Sequence, residues 1–296
     1  SNSRYGLLSA THIAALEQDM ILSQTEVDEV ATFYHHFDVV KERESAPPTL
    51  TVRVCDSIAC ELANANDLLK GLPGALGKNV RVLHAPCVGR CEVAPCVVVG
   101  QNPIGNATIE SVRTAVLAKH VTCQTPRYID HAAYQQAGGY KLLAECHAGR
   151  RQRAEITQMM EDSGLRGLGG AGFPIGRKWK IVSAEPEPRL MAVNIDEGEP
   201  GTFKDRWYLE RDPHRFLEGM LVAAWAVGIA EIYIYLRDEY AGCRAILEKE
   251  LAALERNPPC DLPPIHLRRG AGAYICGEES AMIESIEGKR GMPRLR

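Results

Sequence analysis

The sequence predicts an α/β protein: a short helical leader, then a small α/β unit, then a larger one with a mostly parallel sheet. Three observations carry that prediction. Apolar residues recur at helical spacing before residue 40, short alternating runs appear after residue 49, and strands alternate with long helical stretches beyond residue 154. At 296 residues, with 45% apolar and 24% charged residues, the chain has the length for about two domains and the composition of a globular protein. Its formal charge of -4 gives no reason to expect nucleic acid or an anionic membrane as partner. It has neither an apolar run long enough to span a bilayer nor a secretory signal pattern at Ser1-Asn-Ser-Arg-Tyr-Gly, so a soluble, cytoplasmic protein is expected.

In the leader, Ser9 offers a helix cap ahead of Ile13, Leu16 and Met20. Ser23-Gln-Thr-Glu offers a second ahead of Val27, Val30 and Phe33. Glu44-Ser-Ala-Pro-Pro breaks the pattern. Leu50–Val54 then alternates as a strand, Ala63–Leu72 suits a helix, and Val80–Leu83 and Cys96–Val99 read as strands. Ile109–Ala118 closes this unit as a helix, giving a β-α-β-β-α layer. Residues 119–150 read as a connector with a short helix. A helix at Ala154–Asp162 leads to a glycine-rich loop over 164–176, followed by strand Leu190–Asn194, helix 213–228, strand Glu231–Leu236 and helix 239–255. Strand Ile265–Arg268, a second glycine turn over 270–277 and a helix from Glu278 complete the order. The expected domains are therefore 1–45, 46–122, 123–155 and 156–296.

Four of the ten cysteines fall in two tight pairs, Cys55-x4-Cys60 and Cys87-x3-Cys91, separated by 26 residues. Each pair follows a predicted strand, so both sit at the same end of one small sheet, where four thiolates suit two bridged irons or one zinc. Reduced structural thiols are a third reading. Zinc sites usually use x2 spacing, which tilts the balance toward iron–sulfur. Cys96 is read as a strand residue behind the site. Cys123, Cys146, Cys243, Cys260 and Cys276 are scattered and read mostly as small buried hydrophobes.

Gly167-Leu-Gly-Gly-Ala-Gly172 has the GxGxxG form but follows a helix instead of a strand, so it fails the context of a dinucleotide fingerprint. Five glycines in nine residues still let backbone N–H groups approach a phosphate, with Arg177 and Lys178 supplying charge. The bland alternative is a surface loop, against which stand the large residues Phe173, Pro174 and Trp179. Asn194-Ile-Asp-Glu-Gly-Glu places three carboxylates, Asp196, Glu197 and Glu199, at a strand end, where α/β sheets bind ligands. A solvated acidic turn is the alternative. Glu278 and Glu279 open the last helix, where acids are also explained by the helix dipole.

The stretch Cys87-Val-Gly-Arg-Cys-Glu-Val-Ala-Pro-Cys-Val-Val-Val, with Tyr5-Gly-Leu-Leu-Ser and Val30-Ala-Thr-Phe-Tyr upstream, resembles the thioredoxin-like [2Fe-2S] ferredoxins, including the small ferredoxin-like subunit of respiratory complex I. The three later segments, in this order, resemble the flavin subunit of complex I and the diaphorase chains of NAD-reducing hydrogenases and of molybdenum- or tungsten-containing formate dehydrogenases. The resemblance implies a thioredoxin-like domain followed by a Rossmann-like FMN- and NADH-binding domain. It implies Cys55, Cys60, Cys87 and Cys91 as [2Fe-2S] ligands, and Gly167, Gly169, Gly170, Gly172 and Lys178 at the FMN phosphate. Asn194, Asp196, Gly277 and Glu278 would line the flavin ring, and Phe173, Glu197, Glu199 and Glu279 would meet NAD(H), with Ile181 replacing a further stacking aromatic. It also implies more FMN ligands and a [4Fe-4S] segment beyond Arg296. The fusion of both modules, with all four cysteines present, most resembles the β subunit of a formate dehydrogenase, partnered by a molybdopterin or tungstopterin α subunit. The alternatives are a hydrogenase or complex I-like diaphorase and, from another class, a zinc-stabilised scaffold without catalysis.

Overall fold

The computed structural model describes residues 7–41 and 45–295. The leader holds helices α1 (Ala10–Met20) and α2 (Gln24–Phe33), each with a capping box, at Ser9 with His12 and at Ser23 with Glu26. The expected all-helical leader is flanked by two short strands, β1 (Leu8–Ser9) and β2 (Val39–Val40), paired in parallel. The sequence signal was too short for a strand there; the pairing comes from tertiary structure, which buries Leu8.

The second unit is a four-stranded sheet in the order β4-β3-β5-β6. Strand β3 (Leu50–Cys55) pairs in parallel with β4 (Val80–Ala85) and antiparallel with β5 (Val97–Val99), which in turn pairs antiparallel with β6 (Asn102–Ile104). Helices α3 (Ile58–Leu62), α4 (Ala65–Leu76) and α5 (Ile109–Leu117) accompany it. Strand β6 and helix α3 were not anticipated. A proline disfavours a strand interior, but Pro103 lies on an edge strand, where the missing N–H costs no ladder bond.

The connector carries two short helices where one was expected, α6 (His131–Gln136) and α7 (Lys141–His147). The third unit contains α8 (Arg153–Asp162), α9 (Ile175–Ser183), β7 (Arg189–Ile195), α10 (Lys204–Leu209), α11 (Pro213–Val227), β8 (Ile229–Leu236), α12 (Ala241–Arg256), β9 (Ile265–Arg269) and α13 (Glu279–Ile286). Its sheet, β7-β8-β9, is wholly parallel, as alternating strands and helices require. Helices α9 and α10 had no clear sequence signal.

Two separate main cores follow from this layout. Val52, Val54, Leu72, Val97, Val99 and Val112 fill the first, and Leu143, Leu217, Leu221, Ile232, Ile234 and Leu247 lie in the second. The leader joins the last unit: Tyr34 packs with Tyr235, Cys276 and Met282, and its hydroxyl meets Ser285 Oγ at 2.8 Å. Among the described residues, no helix is long and apolar enough to cross a membrane.

Candidate functional site

Because β3 and β4 run in parallel and in register, with Cys55 opposite Ala85, both strands release their chains at the same edge. Cys55 is the last residue of β3, and Cys60 lies on α3. Cys87 stands two residues past β4, and Cys91 opens a single 3-10 turn. The sulfurs form a chain: Cys55 hydrogen-bonds to Cys60 and to Cys87, and Cys87 Sγ lies 3.4 Å from Cys91 Sγ. Cys55, Cys60 and Cys87 are buried and Cys91 is half-buried. Among the described residues no three His, Cys, Asp or Glu side chains surround a single point as a one-ion site would require.

Backbone N–H groups converge on these sulfurs. Gly89 donates to Cys87 at 3.4 Å and Gly201, from the far side of the site, to Cys91 at 3.2 Å. Ser57 and Val88 serve Cys55, and Cys96 serves Cys60. Donation to Cys60 raises the Cys55 thiol, and its acceptance lowers Cys60; burial raises Cys91. Two thiol pairs side by side, ringed by N–H donors, fit a [2Fe-2S] cluster, whose negative charge such donors stabilise. Cys96 is fully buried just before β5, and burial pushes its thiol up to about 12. It was expected as a strand residue, but the strand begins one residue later, at Val97, and the Cys96 backbone serves Cys60.

At the second candidate site, the end of β7 and the turn before α13 meet. Asn194 Nδ2 donates to the Gly277 carbonyl at 2.9 Å, and Asn194 Oδ1 accepts from the Asp196 N–H at 3.0 Å. A Cβ on Gly277 would stand 3.3 Å from Asp196 Oδ2, so the glycine leaves that carboxyl room. Asp196 is only 3% exposed. Burial raises it to about 8, against the lowering pull of Arg237. Glu197 faces inward: its carboxylate accepts from the N–H groups of Asp205 and Arg206, at 2.9 and 3.3 Å, and from the Tyr240 hydroxyl at 2.8 Å. Glu199 is exposed and accepts from Tyr274 at 2.7 Å. Glu278 caps α13, accepting from the N–H groups of Ser280 and Ala281, and Glu279 is exposed in the first turn.

The glycine loop stands apart, with no hydrogen bond or ion pair to these two segments among the described residues. An antiparallel bridge, Arg166 to Pro174, closes its base, and Gly167 N–H donates to the Phe173 carbonyl. From Leu168 to Gly172 no backbone N–H donates to another described residue, and Gly170 and Gly172 have φ of +108° and +61°. Open space surrounds Gly169, Gly170 and Gly172. Such a run of free N–H groups, leading to exposed Arg177 and Lys178 on α9, has the chemistry a phosphate cradle would need. Phe173 is exposed beside Arg177, and Ile181 is half-exposed. The β7 face bearing Leu190, Ala192 and Asn194 is also exposed, unusual for a parallel sheet and fitting for a surface that takes a flat ring.

Comparison with known proteins gives these two halves their families. Residues 1–120 match the thioredoxin-like [2Fe-2S] ferredoxins, and residues 160–296 match the Nuo51 FMN-binding domain. The chain joins a thioredoxin-like [2Fe-2S] domain to a Nuo51 FMN-binding domain. Its cofactors are those of the two families, a [2Fe-2S] cluster and FMN. An NADH-quinone oxidoreductase subunit of Rhizobium meliloti (strain 1021) is 45% identical, over 56% of this chain and 41% of its own length. The corresponding subunit of Aquifex aeolicus (strain VF5) is 47% identical, over 58% of this chain and 42% of its own. The alpha subunit of the NAD-reducing hydrogenase HoxS of Cupriavidus necator is 28% identical over 99% of this chain and 55% of its own. A crystal structure of an NAD+-reducing [NiFe]-hydrogenase in the air-oxidized state superposes with a TM-score of 0.78 at 31% identity, covering 97% of this chain and 53% of that one. The chain therefore spans from about two fifths to just over half of these relatives.

Several residues of the site escaped the sequence reading. Arg237, just past β8, and Arg206, on α10, reach from the FMN-binding domain to the cysteine loop. Tyr274 anchors Glu199. Arg237-Asp-Glu at the end of a parallel strand was the available signal, since ligands gather at such ends.

Proposed function

We propose that this chain is the NADH-oxidising subunit of a cytoplasmic, multi-subunit dehydrogenase, exchanging hydride between NAD(H) and FMN and passing single electrons to its iron–sulfur cluster. The observation that carries the reading is the junction of the two halves. Cys87 of the cluster loop and Asp196, Gly198 and Tyr274 of the flavin side border one cavity of about 20 Å³. FMN, when bound, converts the two-electron chemistry of NADH into the one-electron chemistry of a cluster.

The chain's own residues bind and orient. The free N–H groups of the loop through Gly167, Gly169, Gly170 and Gly172, with Lys178, hold the phosphate. Asn194, Asp196, Gly277 and Glu278 hold the ring. Burial raises Asp196 to about 8, which favours its protonated form at neutral pH. Phe173, Glu199 and Glu279 meet NAD(H), while Glu197 fixes the backbone of that loop instead of reaching outward. A [4Fe-4S] cluster beyond residue 296 belongs to the same proposal.

For the terminal donor we favour formate, on the resemblance to formate dehydrogenase β subunits and on the full set of four cysteines; the partner is then a molybdopterin or tungstopterin subunit. The hydrogenase reading has its own support, because the HoxS alpha subunit aligns along 99% of this chain. The complex purified through this chain decides. About two irons and two sulfides for the [2Fe-2S] site, bound flavin, and bleaching of the visible spectrum by NADH are expected. Molybdenum or tungsten with formate-dependent NAD+ reduction supports the formate reading, and nickel overturns it. A colourless chain with one zinc and no flavin sinks the electron-transfer reading in favour of a scaffold.

A further inference from the structure

Arg237 is the one described side chain that hydrogen-bonds the backbone of both redox loops. Its side chain is 4% exposed, just past the end of β8, with the guanidinium carbon 5.0 Å from the centre of the Tyr240 ring. Nη2 donates to the carbonyl of Cys87, a cluster ligand, at 2.5 Å, and Nη1 to the carbonyl of Glu197, on the flavin side, at 2.5 Å. Nε and Nη2 meet Glu239 at 3.1 and 3.0 Å, which fixes the plane of the guanidinium. Arg237 also forms a wall of the small cavity that Cys87 and Asp196 border. The loop it grips returns a contact: four residues past Glu197, the Gly201 N–H donates to Cys91 Sγ. A planar fork reaching two carbonyls in two directions is a task for arginine; a lysine ammonium supplies the charge without the fixed geometry.

We propose that Arg237 is a positioning residue that locks the Cys87–Cys91 cluster loop to the Glu197–Gly201 flavin loop, and that its buried charge favours the reduced cluster. This rests on the proposed function, in which the chain carries both cofactors. The chemistry is electrostatic. Adding an electron makes the cluster more negative, a fixed cation at a ligand's carbonyl favours that state, and N–H donors to the sulfurs add to it. Glu239 offsets part of the charge but contacts the guanidinium from its own strand end, so it is Arg237 that faces Cys87.

The test is a dithionite potentiometric titration of the cluster, followed by electron paramagnetic resonance, in the purified complex carrying Arg237→Gln, Arg237→Lys or the wild-type chain. Hydrogen–deuterium exchange of residues 86–93 and 197–203 is measured in parallel. Arg237→Gln is expected to shift the midpoint potential downward and to raise exchange in both segments together. Arg237→Lys keeps the charge, so its potential should stay near wild type while exchange in both segments still rises severalfold. If Arg237→Gln does not accumulate, the lysine variant carries the test through exchange. Wild-type potential in Arg237→Gln, or wild-type exchange in Arg237→Lys, overturns the inference and leaves the proposed function standing. A wild-type chain that holds no [2Fe-2S] cluster overturns both.

Discussion

Asp196 and Glu197 are neighbours in an acidic run, yet the fold gives them opposite tasks. Glu197 is saturated by two backbone N–H groups and a tyrosine hydroxyl, whereas Asp196 is buried with a raised pKa of about 8. The run at a strand end was legible; which carboxylate turns inward was not, because that depends on where α10 begins and α10 had no clear signal in the sequence. The consequence for Asp196 is a pH dependence. A carboxyl raised in the folded state stabilises the fold fully below its unfolded pKa near 4, and that contribution is lost as pH rises toward about 8. The loss is at most about 1.4 kcal/mol per pH unit. Urea unfolding of the flavin-free protein between pH 5 and 8 should show wild-type stability declining, while Asp196→Asn is flatter and gains most at pH 8. Parallel curves would mean that Asp196 is already ionised at pH 5.

Among the elements, α9 shows why part of the fold could not be read. Its sequence, Ile-Gly-Arg-Lys-Trp-Lys-Ile-Val-Ser, puts a glycine and several β-branched residues into a short stretch, so local preference points away from a helix. Packing explains the glycine. Gly176 is buried against α8, and a Cβ there would stand 2.4 Å from the Glu161 N and 2.5 Å from its Cα. Two backbones touch at that point, and the loop leading into α9 is the one with the free N–H groups. Long, strongly periodic elements such as α11 and α12 were legible because each turns a continuous apolar face to the second core. Gly176→Ala should therefore cost about 1–3 kcal/mol by overpacking and, because α9 carries Arg177 and Lys178, should also weaken FMN retention. Equilibrium unfolding and a flavin-release assay check the two effects. Unchanged stability would mean that the helix pair can separate without loss.

For the molecule as a whole, the cysteine pairs and glycine segments announced two modules, but nothing local in the sequence said how the modules would meet. They meet through loops and charges. Arg90 on the cluster loop reaches Glu210 at 2.8 Å, and Glu210 accepts from Arg206 at 3.0 Å. Arg206 also pairs with Glu92 and donates to the Gly89 carbonyl. The four charges alternate in sign across the boundary and come from residues 90, 92, 206 and 210, a pairing that only the folded chain creates. Glu210 is 7% exposed, so removing its carboxylate leaves one guanidinium without its partner and a second with a single acid. Loss of one partner in a fully buried pair costs about 3–5 kcal/mol; Arg90 is partly exposed and Arg206 keeps Glu92, so about 1–3 kcal/mol is expected here. Because the two cores are separate, the loss should show as lost cooperativity between them. Calorimetry of the cofactor-loaded wild-type chain should give one main transition. Glu210→Ala should split it, with the cluster absorbance bleaching at a lower temperature than the flavin is released. If both signals still melt together in Glu210→Ala, the remaining contacts of Arg206, Arg237, Gly201 and the leader hold the two halves without Glu210.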